Sequence, residues 1–260
     1  MPTSSREGCV PELVSICSEG PESSRRLSYD RTAASRRLAI VLLAESTFTV
    51  VTQWVETTGT GRDRGPVAIV RAWAEVLRRP RRFFRTGIAP GDQAPGLIFA
   101  SLVVLAEELG RFLVVELAAR GLLSTGPFPY PAIGDFSPGV AVLALLGIIV
   151  FAAPITVHLT AAIQTLLLIP TAPDRGGISE TVQVMCYAMA PCIVAGLPFP
   201  ELRVLVTLWG ATLYVVGTAV VHELSLPKAA LVGAVPATIL FGYGFRGFAA
   251  LTALASASGF

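Results

Sequence analysis

Residues 176–230 read GGISETVQVMCYAMAPCIVAGLPFPELRVLVTLWGATLYVVGTAVVHELSLPKAA, and this stretch decides the fold. Two apolar runs, Thr181–Leu197 and Leu202–Val221, meet at a tight Pro198-Phe199-Pro200 turn, and a short polar break opens onto a third run that begins near Lys228. Runs of about 20 residues match a hydrocarbon layer of about 30 Å, because a helix rises 1.5 Å per residue. Ser179 is placed to cap the first of these helices. Pro191 and Pro236 interrupt the first and third runs. Gly210 and Gly217 share one heptad face of the middle run, where they would let a neighbouring helix approach closely.

Upstream, Gly139–Pro170 is apolar throughout and about 48 Å long as a helix, more than the bilayer needs. It is expected to tilt, to kink at Pro154, or to continue past the bilayer. Thr156, Thr160 and Gln164 fall on one face of its later half and favour continuation. Before it, Gly96–Ala119 has the length of a span but carries Glu107, Glu108, Arg111 and Glu116. Arg111 stands i+4 from Glu107 and i+3 from Glu108, so one guanidinium can neutralise either acid, and Glu116 can reach Arg120. Such pairing lowers an insertion cost of a few kcal/mol per bare charge. The fold expected is therefore all-α: a polytopic integral membrane protein of five transmembrane helices. The composition agrees, with 53% hydrophobic residues, 15% charged residues and a mean hydropathy of +0.65.

Residues 67–85, VAIVRAWAEVLRRPRRFFR, place Ile69, Trp73, Val76 and Leu77 at helical spacing, with arginines on the other faces. A basic amphipathic helix beside a first span belongs in the headgroup layer. The expected headgroup contacts are Trp73, Arg78, Arg79, Arg81, Arg82, Phe83, Phe84 and Arg85, each arginine contributing about 1 kcal/mol at an anionic surface. The bilayer is thus the expected partner, together with self-association or another membrane protein. A nucleic-acid role is set aside because the patch abuts a span. Residues 89–96 form a Pro/Gly hinge.

Three segments follow: an arm at 1–50, a cytoplasmic segment at 51–95 with the interfacial helix and hinge, and the five-span domain at 96–260. The arm reads either as disorder or as a gene-model extension, with translation starting at Val51. N-terminal peptide mapping separates the two. The arginine-rich segment before the first span puts the N-terminus in the cytoplasm of a multi-pass cell-membrane protein.

No catalytic motif, cofactor site or metal spacing is present. Cys9, Cys17, Cys186 and Cys192 form no C-x-x-C pair, and His158 has no second ligand at i±3 or i±4. Glu107, Glu108 and Arg111 form the candidate intramembrane polar cluster, read either as a proton or ion path or as a paired packing device. Tyr187, Pro191, Gly210, Gly217 and His222 are assigned to helix packing.

The order Trp73-x-x-Val76-Leu77-x-x-Pro80-x-x-Phe83-Phe84, a Pro/Gly hinge and then five spans resembles the Yip domain family. Tyr187-Ala-x-Ala-Pro191, Trp209 with Gly217, and His222-x-Leu224-Ser225-x-x-Lys228-Ala229 resemble landmarks of that family's last three spans. The arginine bias and the wording around Gly87–Gly96 resemble haloarchaeal members. The resemblance implies a non-enzymatic membrane protein that binds partners or organises membranes. Eukaryotic members bind small GTPases, but this chain lacks their acidic arm, and no residue inherits that role. The other class weighed is a small-solute or proton carrier using the first-span carboxylates.

Overall fold

The computed structural model describes residues 53–57, 61–122, 138–173 and 175–258, all within one compact unit, Val51–Phe260. The arm at 1–50 lies outside the described residues. Strands β1 (Gln53–Thr57) and β2 (Gly61–Arg64) form an antiparallel hairpin that pairs Glu56 with Arg62 and Thr57 with Gly61. Every other described element is helical.

Helix α1 (Pro66–Arg78) begins with proline at its first turn, where the missing N–H costs nothing. Ala68, Ala72 and Val76 recur every four residues and are buried. Pro80 ends it, and α2 (Pro80–Thr86) restarts at once in a new direction. The hinge that follows is clamped, since Gln183 Nε2 donates to the Ala89 carbonyl at 2.6 Å and the Ala89 N–H donates to Gln183 Oε1 at 3.1 Å.

Helix α3 (Ala94–Ala119) is continuous across the expected first span and closes near Gly121, whose φ is +69°. The second span is α4 (Pro138–Gly147), a wider π-type turn (Ile148–Ala152) and α5 (Ala153–Leu168). Pro154 supplies the reason for the irregularity, because it cannot donate to the carbonyl one turn earlier and the backbone widens around the gap.

The expected third span is α6 (Ile178–Ala188) followed by a 3₁₀ turn (Ala190–Val194). Pro191 breaks it by lacking an N–H and crowding the preceding turn. Residues 181–188 are buried on every face, so α6 is the axis of the bundle, packed by α1, α3, α5 and α7 (Pro200–Val221). Around it lie Phe83, Phe84, Phe99, Met185, Tyr187 and Tyr214, all essentially inaccessible.

The expected fifth span is α8 (Leu226–Ala237) continued by a π-type turn (Thr238–Gly244), and it stops there. Arg246 adopts a left-handed backbone (φ +58°), and α9 (Gly247–Ala257) returns against α7. Gly242 and Gly247 leave room for this reversal, since a side chain at Gly242 would overlap Phe248 and one at Gly247 would come within 2.8 Å of the Phe241 carbonyl.

Among the described residues, three helices are long and apolar enough to cross a membrane: Gly139–Leu168, Pro200–Val221 and Leu226–Gly244. Ile178–Val194 and α9 are shorter apolar helices. α3 has the length, but four charged residues interrupt its apolar sequence.

Candidate functional site

Helix α3 presents Glu107, Glu108 and Arg111 on neighbouring positions of one surface, as their spacing requires. Arg111 Nη1 lies 2.7 Å from Glu108 Oε1 and 4.0 Å from Glu107 Oε2. All three side chains are at least nine-tenths buried. The middle of α3 reaches this position because Gly110 lies against Gly196, and a side chain at Gly196 would overlap the Glu107 carbonyl.

Two arginines far from it in the chain complete the cluster. Arg203, in the first turn of α7, is 1% exposed, and its Nη1 lies 3.5 Å from Glu107 Oε1 and 3.5 Å from the Phe245 carbonyl, to which it donates. Arg246, between the π-type turn and α9, lies within electrostatic reach of Glu107, Glu108, Arg111 and Arg203. The one sequence signal for Arg203 was a lone arginine just inside an apolar run. By contrast, Glu116 pairs with Arg120 at 2.6 Å in an exposed position apart from the cluster.

A cavity of about 160 Å³ opens beside the carboxylates. Glu107 and Glu108 line it, with Ile148 and Ala152 from one π-type turn and Leu240 and Gly244 from the other. Wider turns of this kind recur at functional sites because they free backbone groups from regular pairing. Glu108 Oε2 has no hydrogen-bond partner among the described residues. Chemically, the cavity offers carboxylate oxygens in an apolar wall, backed by guanidiniums.

The other expected site residues sort differently. Arg78, Arg79, Arg81, Arg82 and Arg85 are exposed. Phe83 and Phe84, assigned by sequence to headgroups, are buried instead: the Phe83 ring packs edge-on to Tyr187 at 4.8 Å, and Phe84 meets Gly217. Trp73, also assigned there, is half-buried and donates from Nε1 to the Ala190 carbonyl at 2.9 Å. The physical reason is that an apolar stripe suits a helix bundle as well as it suits lipid. Tyr187 and Pro191 are core residues, Gly210 faces Phe241 and the Ala188 carbonyl, and Gly217 faces Val184 and Phe84.

His222, the C-cap of α7, is 2% exposed, with Nε2 3.3 Å from Thr181 Oγ1. Burial pushes it down to about 4, and the nearby Arg175 charge acts in the same direction. It is therefore a neutral packing group. His158 is exposed, held between the Pro154 carbonyl at 2.7 Å and Gln93 Oε1 at 2.9 Å. Among the described residues no His, Cys, Asp and Glu side chains gather into a metal site.

No curated protein and no solved structure matches the chain. The family model described as the Yip1 domain matches residues 74–245, from the middle of α1 to Phe245. That match covers well over half of the sequence and takes in the hinge, Glu107, Glu108, Arg111 and Arg203 of the buried cluster, and the glycine contacts of α7: the chain belongs to the Yip family of membrane proteins.

Proposed function

We propose that this chain is a non-enzymatic integral membrane protein that binds a partner within the bilayer, a second copy or another membrane protein, and organises the membrane around that contact. The observation that carries this reading is the second span. Only 11% of its most apolar stretch is buried within the chain, against 44% for Pro200–Val221 and 39% for Leu226–Gly244. Among the described residues, Gly139 and Gly147 have nothing within 4 Å of the position a side chain would take, so the backbone there is open to close approach by another helix. Gly210 and Gly217 already serve internal contacts and leave the second span as the free surface.

The reading includes five spans, with α3 and the third span crossing beside the three longer helices. It also includes a cell-membrane location in an archaeal cell, a cytoplasmic N-terminus, and contact of the exposed α1–α2 arginines with anionic headgroups. A cysteine at Gly147, with Cys9 and Cys17 replaced by serine, tests it, since Cys186 and Cys192 are buried. Cross-linking in native membranes should give one discrete adduct, identifiable by mass spectrometry. A chain that cross-links to nothing would sink the proposal.

The second reading is a carrier for a small solute or protons, favoured by the cavity that Glu107 and Glu108 share with two π-type turns. Flux into liposomes, lost in Glu107→Gln or Glu108→Gln while insertion is retained, would support it. Flux equal to that of empty liposomes would remove it.

A further inference from the structure

Three guanidiniums and two carboxylates meet around Glu107, and their sum leaves one positive charge. Arg111 is committed to the carboxylates, and Arg203 to Glu107 and the Phe245 carbonyl. Arg246 is the remaining cation. Its side chain is only partly buried, and among the described residues it makes no hydrogen bond or ion pair. Glu107 and Glu108 act on it only through their charge. A partly desolvated guanidinium whose N–H groups lack a hydrogen-bond acceptor is costly, and its planar fork suits the paired oxygens of a phosphate.

The neighbours of Arg246 supply the second half of the argument. Gly247, the next residue, lines a groove of about 200 Å³ between α7, the π-type turn of the fifth span and α9. Its walls are Leu208, Ala211, Phe241, Phe248 and Leu251, with Thr207 at one side. Leu208, Phe248 and Leu251 are also exposed on the apolar surface of the helices. The groove is therefore open to the lipid phase, and its lining residue Gly247 directly follows Arg246 in the chain.

We propose that Arg246 and this groove form a binding site for one anionic phospholipid, the phosphate oxygens on the guanidinium and an acyl chain in the groove. The charge surplus selects an anion, and the apolar groove selects a lipid over a free phosphate, which has no use for such walls. This site is separate from the α2 arginines. Those flank Phe83 and Phe84, which pack on Tyr187 and Val184, whereas Arg246 belongs with Glu107 beside Gly196 at the far end of the third span.

The test is native mass spectrometry of the full chain in detergent, titrated with phosphatidylglycerol, phosphatidylcholine or inorganic phosphate. The wild type should retain one phosphatidylglycerol in preference to phosphatidylcholine. Arg246→Gln should weaken that binding about tenfold or more, as expected for a lost charge-assisted contact, and Arg246→Lys should weaken it less. Leu208→Trp, which fills the groove from its exposed side, should weaken lipid binding with the cluster intact. If Arg246→Gln fails to fold, Leu208→Trp and Arg246→Lys carry the test. Equal retention of phosphatidylcholine, unchanged binding in the folded variants, or displacement of the lipid by an equal concentration of inorganic phosphate would each overturn the proposal.

Discussion

Trp73 Nε1 donates to the Ala190 carbonyl at 2.9 Å, joining α1 to the 3₁₀ turn that follows α6 across 117 residues of sequence. The bond anchors the amphipathic helix to protein. Trp73→Phe keeps the ring and removes the donor. It should lower stability by about 1 kcal/mol. A melting temperature in detergent equal to that of wild type would show that water replaces the indole N–H.

The glycines of α7 should report on folding before they report on any partner. A side chain at Gly217 would come within 2.7 Å of Val184 and 3.0 Å of Phe84, and one at Gly210 would overlap Phe241. Gly217→Leu and Gly210→Leu should each cost about 1–3 kcal/mol or more through overpacking. Gly147→Ala, in open space, should be neutral or stabilising by up to about 1 kcal/mol. Detergent-solubilised yield and thermal melting separate the two classes.

Within the cluster, removing the central cation should do more harm than removing one acid. Arg111→Leu leaves Glu107 and Glu108 side by side in a buried site with Arg203 on one of them. A loss of about 3–5 kcal/mol is expected for breaking such a pair. Glu108→Gln leaves Arg111 its contact with Glu107 and should cost less. Equal melting temperatures for the two variants would show that Arg111 finds solvent or headgroups.

His222 gives a pH dependence whose sign is fixed. Its proton affinity is lowered in the folded chain to about 4, whereas an unperturbed histidine titrates near 6.5. Above about 6.5 the group is neutral in both states and contributes nothing to the slope. Between about 6.5 and 4 the unfolded chain takes up a proton that the folded chain refuses, so stability falls as pH falls, by on the order of 3 kcal/mol in total. Melting curves across this range should show the decline in wild type and a flatter profile in His222→Gln. Identical profiles would mean that His222 is hydrated in the folded protein.

How much of this was legible in sequence can be judged element by element. The apolar runs, the hinge, the break at Pro191 and the irregularity near Pro154 were readable because each is a local matter of backbone donors and solvent preference. The pairing of Arg111 with Glu108 was readable too, since positions three and four apart on a helix must meet. Arg203 and Arg246 were not. They stand 96 and 139 residues from Glu107 in the chain, and only the approach of α3 to the turn at Gly196 and the reversal at Arg246 brings them to it.

The headgroup assignment of Phe83 and Phe84 failed for a related reason. An amphipathic helix declares that it has an apolar face, but the same stripe satisfies lipid and protein alike. What the sequence determined by itself was which segments shun water and where their backbones must break, because hydropathy and proline chemistry act over one or two turns. What only the tertiary structure decided was which buried charges share a site and which aromatic faces meet protein, because those depend on contacts between segments far apart in the chain.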